Sequence, residues 1–264
     1  MEAALEDIEF LALSANRVEV LRLLANGRHT RRDLADETGA SQATLGRILG
    51  DFEDRAWVRK DSGGYVATAT GELVAASFTD LLASLDTERE LRPIVEYLPT
   101  EAMEFDLRHL ADATITTPTG TRPNAPVQRV LDLLDDADEV RVFSHAFNEQ
   151  SLTVVQEHTA TGDQTFRGVF SRSAIEALAD ESGLRERLLD LLATDGVELR
   201  VCADEIPLAV TVADDRVHLL VRDENGILRA SVDTDDAAVR EWADDAFARY
   251  WDAAEALGRD DFSG

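Results

Sequence analysis

Residues 41–60 read SQATLGRILGDFEDRAWVRK. Ser41 is placed to cap a helix, and Leu45, Ile48, Leu49 and Phe52 then recur at i, i+3, i+4 and i+7, which is one apolar helical face. The stretch runs on into WVRK, the turn DSGG (61–64) and YVAT (65–68), two short strands closed by a hairpin. Upstream, Val18, Val20, Leu21, Leu23 and Leu24 predict a short buried helix stopped at Gly27. Thr30 and Asp33 then have the spacing of a capping box, and Gly39 supplies a turn. Helix, helix, turn, helix and two-stranded wing is the order of a winged helix-turn-helix, and this stretch is its recognition helix.

At 100° per residue, the face opposite the apolar one carries Ala43, Arg47, Gly50 and Asp54, flanked by Gln42, Thr44 and Gly46. The N-terminal part of such a helix enters the major groove. There Gln42 suits adenine, Arg47 suits guanine or a phosphate, and Ala43 suits a thymine methyl. Gly46 and Gly50 each cost about 1 kcal/mol relative to alanine. Either something approaches the helix backbone closely, or they are tolerated surface residues. Arg28, His29, Arg31 and Arg32 cluster around Thr30, where phosphate contacts are natural. The expected DNA-binding set is Arg28, Thr30, Arg31, Arg32, Ser41, Gln42, Ala43, Thr44, Gly46, Arg47, Arg59 and Lys60. Arg59 and Lys60 lie on the wing, whose tip DSGG has no basic residue. Asp51, Glu53 and Asp54 are expected to point out of the groove.

The chain of 264 residues has a formal net charge of −27, with 53 acidic residues against 26 basic ones, of which only Lys60 is lysine. Abundant Asp and Glu with lysine nearly abolished resembles the proteins of salt-accumulating haloarchaea. The charge is unevenly placed: residues 14–75 hold nine basic and nine acidic side chains, so this module is neutral while the rest carries the acid. At molar salt the Debye length is about 3 Å, which hides that acid from DNA a few residues away. Counterion release also weakens there, so base-edge contacts and shape must carry more of the binding.

Apolar content of 44% marks a globular chain. No apolar run approaches the roughly 18–20 residues of a membrane span, and the acidic start MEAALEDIEF is unlike a signal peptide, so a cytoplasmic protein without membrane contact is expected. Cys202 stands alone, which excludes an internal disulfide and a CxxC zinc site.

Beyond the wing, Leu73, Val74, Phe78, Leu81, Leu82 and Leu85 share a helical face, which is either domain core or, through Val74, Phe78, Leu81 and Leu85, the surface expected to pair with a second copy. A capping box at Thr87 predicts a restarted helix through Leu98, closed by Pro99. A short helix is expected around Ala102–Ala111, and TITTPTGTRPNAP reads as an extended connector. From Ala125 the pattern alternates: helix (126–134), strand EVRVFSH, helix (149–159), strand TFRGVF and helix (173–193). The strands VELRVCA, LAVTVA, RVHLLVR and ILRASV follow, then a closing helix (235–257). The expected fold is α/β (α+β overall), with a winged helix-turn-helix at 1–75, a helical dimerisation linker at 76–113 and a mixed α/β sensor domain at 114–264.

The five histidines have no metal spacing, and GxGxxG, P-loop and GxSxG are absent, so no catalytic residue, metal or cofactor is expected. His145 ends a strand in S-H-A-F-N, where it is either structural or faces a ligand beyond the strand's carboxyl end. Ser171, Arg172 and Ser173 open a helix, where hydroxyls, free N–H groups and an arginine can hold an anion or simply cap. Cys202 ends the next strand, as core or pocket lining. These five form the expected ligand-binding set.

With TLGRILGDFEDRAWV, LPTEAMEFDLRHLADATITTP, IPLAVTVADDRVHLLV and WADDAFARYWDAA in view, the chain resembles a family of haloarchaeal winged-helix transcriptional regulators. Its second half is similar to the middle domain of methanogenesis-type regulators and, more distantly, to the phospholipase D-like domain of TrmB-type sugar-responsive regulators. The resemblance implies double-stranded promoter DNA as partner, a homodimer, and a small-molecule effector such as a sugar phosphate. The phospholipase D pattern His-x-Lys is replaced by His145-Ala146-Phe147, which speaks against hydrolysis and against an enzyme. Two other readings stay open: an enzyme of phosphorylated metabolites with a DNA-binding head, and a ligand-free adaptor binding another regulator.

Overall fold

The computed structural model describes residues 1–146 and 149–262 and divides into two compact units, Met1–Asp86 and Thr87–Gly264. Phe147 and Asn148, the end of the S-H-A-F-N stretch, lie outside the described residues.

The first unit runs α1 (Glu2–Ala12), α2 (Ala15–Asn26), α3 (Arg31–Thr38), α4 (Gln42–Asp54), β1 (Val58–Asp61) and β2 (Gly64–Ala67), and continues into α5 (Ala69–Leu91). Its core is the apolar face read from the sequence, with Leu45, Ile48, Leu49 and Phe52 packed on Val20, Leu21, Leu24 and Leu34. Ser41 accepts a hydrogen bond from the Thr44 N–H at 3.1 Å. Thr30 and Asp33 form the reciprocal capping box at 2.8 and 3.2 Å. Gly39 ends α3 in the left-handed region, at φ 68°.

α1 was not anticipated, because its only buried side chain is Leu11. It is held instead by Phe10, whose ring centroid lies 4.0 Å from the Arg17 guanidinium and 3.8 Å from that of Arg55. Arg17 also donates to the Phe10 carbonyl at 2.8 Å, and Arg55 to Asp7 at 3.1 Å.

The second unit adds β3 (Thr114–Thr116), α6 (Ala125–Asp136), β4 (Glu139–Ser144), α7 (Glu149–Thr161), β5 (Thr165–Ser171), α8 (Arg172–Asp180), α9 (Ser182–Leu191) and β6 (Val197–Cys202). β7 (Ala209–Ala213), β8 (Arg216–Arg222), β9 (Leu228–Thr234), α10 (Ala237–Ala253) and β10 (Glu255–Ala256) complete it. One sheet has the order β10-β6-β5-β4-β7-β8-β9-β3. β4, β5 and β6 are parallel and the remaining pairs antiparallel. Side chains alternate between two cores. Val140, Phe166 and Phe170 pack with α6 to α9, while Phe143, Val169, Val217 and Leu219 pack with α10. This is the mixed α/β architecture expected.

Four local expectations are corrected. α5 passes through Thr87 without a restart and stops at Leu91, ahead of Pro93, because the residue before proline is pushed out of the α region. Short 3-10 turns at Val95–Tyr97 and Leu107–Leu110 replace the helices expected to Leu98 and over Ala102–Ala111. There Leu91, Ile94, Leu98, Met103 and Leu110 are buried in the core of the second unit, so much of the expected linker is part of it. The connector TITTP supplies edge strand β3, paired with β9. The helix expected over 173–193 breaks at Glu181, which is extended.

Candidate DNA-reading face and ligand cleft

Gln42, Ala43 and Arg47 are exposed on α4, and Thr44 and Gly46 are half-buried. Gly46 has a close neighbour: a Cβ added there would lie 3.8 Å from the Arg31 guanidinium, which rests across the helix. At Gly50 nothing stands within 4 Å, so that glycine is a tolerated surface residue. Gln42 donates weakly to the Arg31 carbonyl at 3.4 Å, and the Tyr65 ring lies 5.9 Å from both the Arg31 guanidinium and the Lys60 ammonium. Ser41 and Thr44 engage each other's hydroxyls at 2.9 Å, so both serve the cap.

An isolated bridge that the sequence did not disclose ties the wing to the segment before α3. His29 and Tyr65 exchange backbone hydrogen bonds of 3.0 and 2.8 Å, and a Cβ at Gly64 would come within 2.8 Å of the His29 carbonyl oxygen. Only glycine allows that approach. Next to it, Arg28 donates to the Ser62 carbonyl at 2.7 Å. The wing tip, which has no basic residue of its own, thereby receives one from before α3.

Ion pairing sorts the nine basic side chains of residues 14–75. Arg17 meets Asp51 (3.8 Å), Arg22 meets Glu19 (2.6 Å) and Arg32 meets Asp36 (4.0 Å). Arg55 meets Asp7 (3.1 Å), Arg59 meets Asp61 (3.8 Å) and Lys60 meets Glu53 (3.2 Å). Arg28, Arg31 and Arg47 have no carboxylate partner among the described residues. They stand at the wing tip, at the start of α3 and on the outward face of α4. Two of the three acids at the end of α4, Asp51 and Glu53, are turned to their own cations.

In the second unit the parallel register places Ser171 beside Cys202. His145, Ser171, Arg172, Ser173 and Cys202, the five residues expected to hold a ligand, line one open cleft at the carboxyl ends of β4, β5 and β6. The Ser171 hydroxyl caps α8 through the Ala174 N–H at 3.3 Å and contacts the Ser173 hydroxyl at 3.1 Å. Cys202 is fully buried, so it lines the floor.

The cleft also contains Arg222, which the sequence reading missed. β8 runs parallel to β4, so its last residue reaches the same edge. The one sequence signal was an arginine ending the apolar strand RVHLLVR. Arg222 Nε and His145 Nδ1 are both buried without a partner among the described residues. Burial lowers the pKa of His145, aided by the Arg222 charge, and burial lowers that of Arg222 as well. Asp204, Glu205 and Glu224 lie on the exposed rim; Asp223 is occupied by Arg229 at 2.7 Å and by two backbone N–H groups. Among the described residues no group of His, Cys, Asp and Glu could hold a metal, and no helix is long and apolar enough to cross a membrane.

The first unit is thus a winged helix-turn-helix, and the second is an α/β unit with a cleft at its strand ends. Residues 5–90 match the HVO_A0261 N-terminal domain, and residues 123–253 match the middle domain of the methanogenesis regulatory protein FilR1. The chain is built from these two family domains, the second of them that of a regulatory protein. No curated protein matches it. Among solved structures it is similar to TrmBL2, described as an archaeal chromatin protein with a novel mode of DNA binding. That pair is 15% identical over 95% of this chain and 98% of the other, with a TM-score of 0.41. The phospholipase D family member Nuc from Salmonella typhimurium is 13% identical over 55% of this chain and 99% of the other, with a TM-score of 0.44. NucT from Helicobacter pylori is 9% identical over 55% of this chain and 98% of the other, with a TM-score of 0.41. At these scores the three likenesses decide nothing about activity.

Proposed function

We propose that this DNA-binding transcriptional regulator is a dimer that reads a specific promoter site through α4, and that its strand-end cleft takes a small anionic effector. The observation that carries the DNA assignment is the pattern of unpaired arginines. Arg28, Arg31 and Arg47 can meet phosphate or guanine without breaking an ion pair, whereas Arg32, Arg59 and Lys60 each have an acid to leave. Gln42 and Ala43 stand beside Arg47 and supply the base-edge contacts.

The effector reading rests on His145, Arg222 and the hydroxyls at the start of α8, which together suit a phosphate or carboxylate, as in a sugar phosphate. The dimer reading rests on an apolar groove between α1 and α5, lined by Ile8, Leu11, Leu73, Val74, Phe78 and Leu81. Of the helical face expected for pairing, Phe78 is buried and Val74 half-buried in the first unit's own core. Leu81 and Leu85 remain exposed, at 41% and 44%.

Arg47→Ala should weaken footprinting by about 10- to 100-fold at an operator found by genome-wide binding in the host, the range of one bidentate base contact. Arg32→Ala should leave it within about twofold. Equal effects of the two substitutions would overturn the assignment of α4. A thermal shift of the full chain with glucose 6-phosphate, lost in Arg222→Met, tests the effector; no shift with any sugar phosphate would favour the ligand-free adaptor.

A further inference from the structure

A second pocket shares no residue with that cleft. It lies on the helical side of the sheet, where Val142, Thr211 and His218 stand side by side across β4, β7 and β8. Val130 of α6, and Val155 of α7, form its roof. It is small, opens to solvent at its mouth, and is lined mostly by apolar side chains. His218 is 1% exposed, and neither of its ring nitrogens has a partner among the described residues. An apolar side chain would fill this position on a half-apolar strand, and buried polar groups without partners are costly and rare.

The surrounding charge is balanced. Arg129 holds the fully buried Asp233 with two hydrogen bonds of 3.0 and 2.7 Å, and Arg216 stands 3.5 Å from both Asp233 and Asp235. No net charge therefore faces the pocket to receive an ionised ligand. A neutral imidazole presents one N–H donor and one bare nitrogen acceptor, and a hydroxyl group can serve either.

We propose that this pocket binds a small, uncharged, mainly apolar molecule bearing a hydroxyl group, a phenol or alcohol, with the hydroxyl against His218. Such a ligand covers the apolar walls and satisfies the imidazole at once. The site is independent of the strand-end cleft and of the anionic effector assigned to it.

The test is a titration of the full chain, carrying 15N-labelled histidine, with p-cresol, toluene and benzoate at neutral pH. His218 is distinguishable from the other histidines because burial holds its pKa down at about 4. Added p-cresol should move the His218 ring nitrogen shift and bind about tenfold tighter than toluene, the gain of roughly one net hydrogen bond. Benzoate should not bind. In His218→Phe the tenfold preference should vanish while toluene still binds, and Ala209→Trp, which fills the pocket, should abolish both. If His218→Phe does not fold, the wild-type titration and Ala209→Trp decide. An unmoved His218 signal up to the solubility of p-cresol, retention of the preference in His218→Phe, or soaked crystals holding only water against His218 would each overturn the proposal.

Discussion

Two glycines show how single residues divide between necessity and tolerance. A Cβ at Gly71 would stand 1.9 Å from the Trp57 carbonyl oxygen, so the start of α5 would have to move off the wing. Gly71→Ala should destabilise the protein by about 3 kcal/mol or more, at the top of the overpacking range. Gly50→Ala meets nothing within 4 Å and should stabilise it by about 0.5–1 kcal/mol. Urea midpoints of the two variants should therefore move in opposite directions. His218 makes a second residue-scale prediction. Burial, its largest influence, lowers its pKa from 6.5 to about 4 in the folded chain. Between those values the unfolded chain binds a proton that the folded chain does not. The stabilisation is thus complete above about pH 6.5 and is lost as pH falls towards 4, by roughly 3 kcal/mol. Urea titrations at pH 7 and 4.5 should show most of that loss in the wild type and less of it in His218→Phe.

At the scale of elements, the periodic helices were legible and the weakly apolar ones were not. α4 was readable because its core face needs only a 3.6-residue period, and all four of its predicted residues are buried. α1 was not, since a cation–π clamp on Phe10 leaves no periodic signal. The interrupted segment from Thr87 to Leu110 was misread for the reverse reason. Its capping-box spacing is real, but Thr87 is buried inside a continuous helix whose packing overrides the local signal. α5 also yields the dimer prediction. Leu81→Glu with Leu85→Glu should convert the dimer to a monomer in sedimentation equilibrium at high salt without changing the melting of either unit, because both side chains are exposed. A wild type that is already monomeric would remove the groove as a dimer interface.

At the scale of the whole molecule, charge placement governs how binding depends on salt. The winged-helix region is neutral, and among the described residues only three of its arginines lack acidic partners. If Arg28 and Arg31 of each head contact phosphates while Arg47 reads a base, log K against log salt should have a slope of about −4 for a dimer. Arg28→Ala should flatten that slope by roughly 2, one contact per head, and reduce binding to all sequences alike. A slope near −10, measured by fluorescence anisotropy on the operator, would mean that the ion-paired cations also engage.

What the sequence by itself determined was periodic or positional: the winged-helix order, the core face of α4, the alternation of strands and helices, and the five residues at strand ends. Those follow from spacing along the chain, because parallel strands bring their ends to one edge whatever lies between them. What only the tertiary structure decided was pairing between distant residues. It supplied Arg28 to the wing tip, laid Arg31 over Gly46, separated ion-paired cations from unpaired ones, brought Arg222 into the cleft and left His218 without a partner among the described residues. Each depends on register and packing between elements far apart in the chain, which no local spacing encodes.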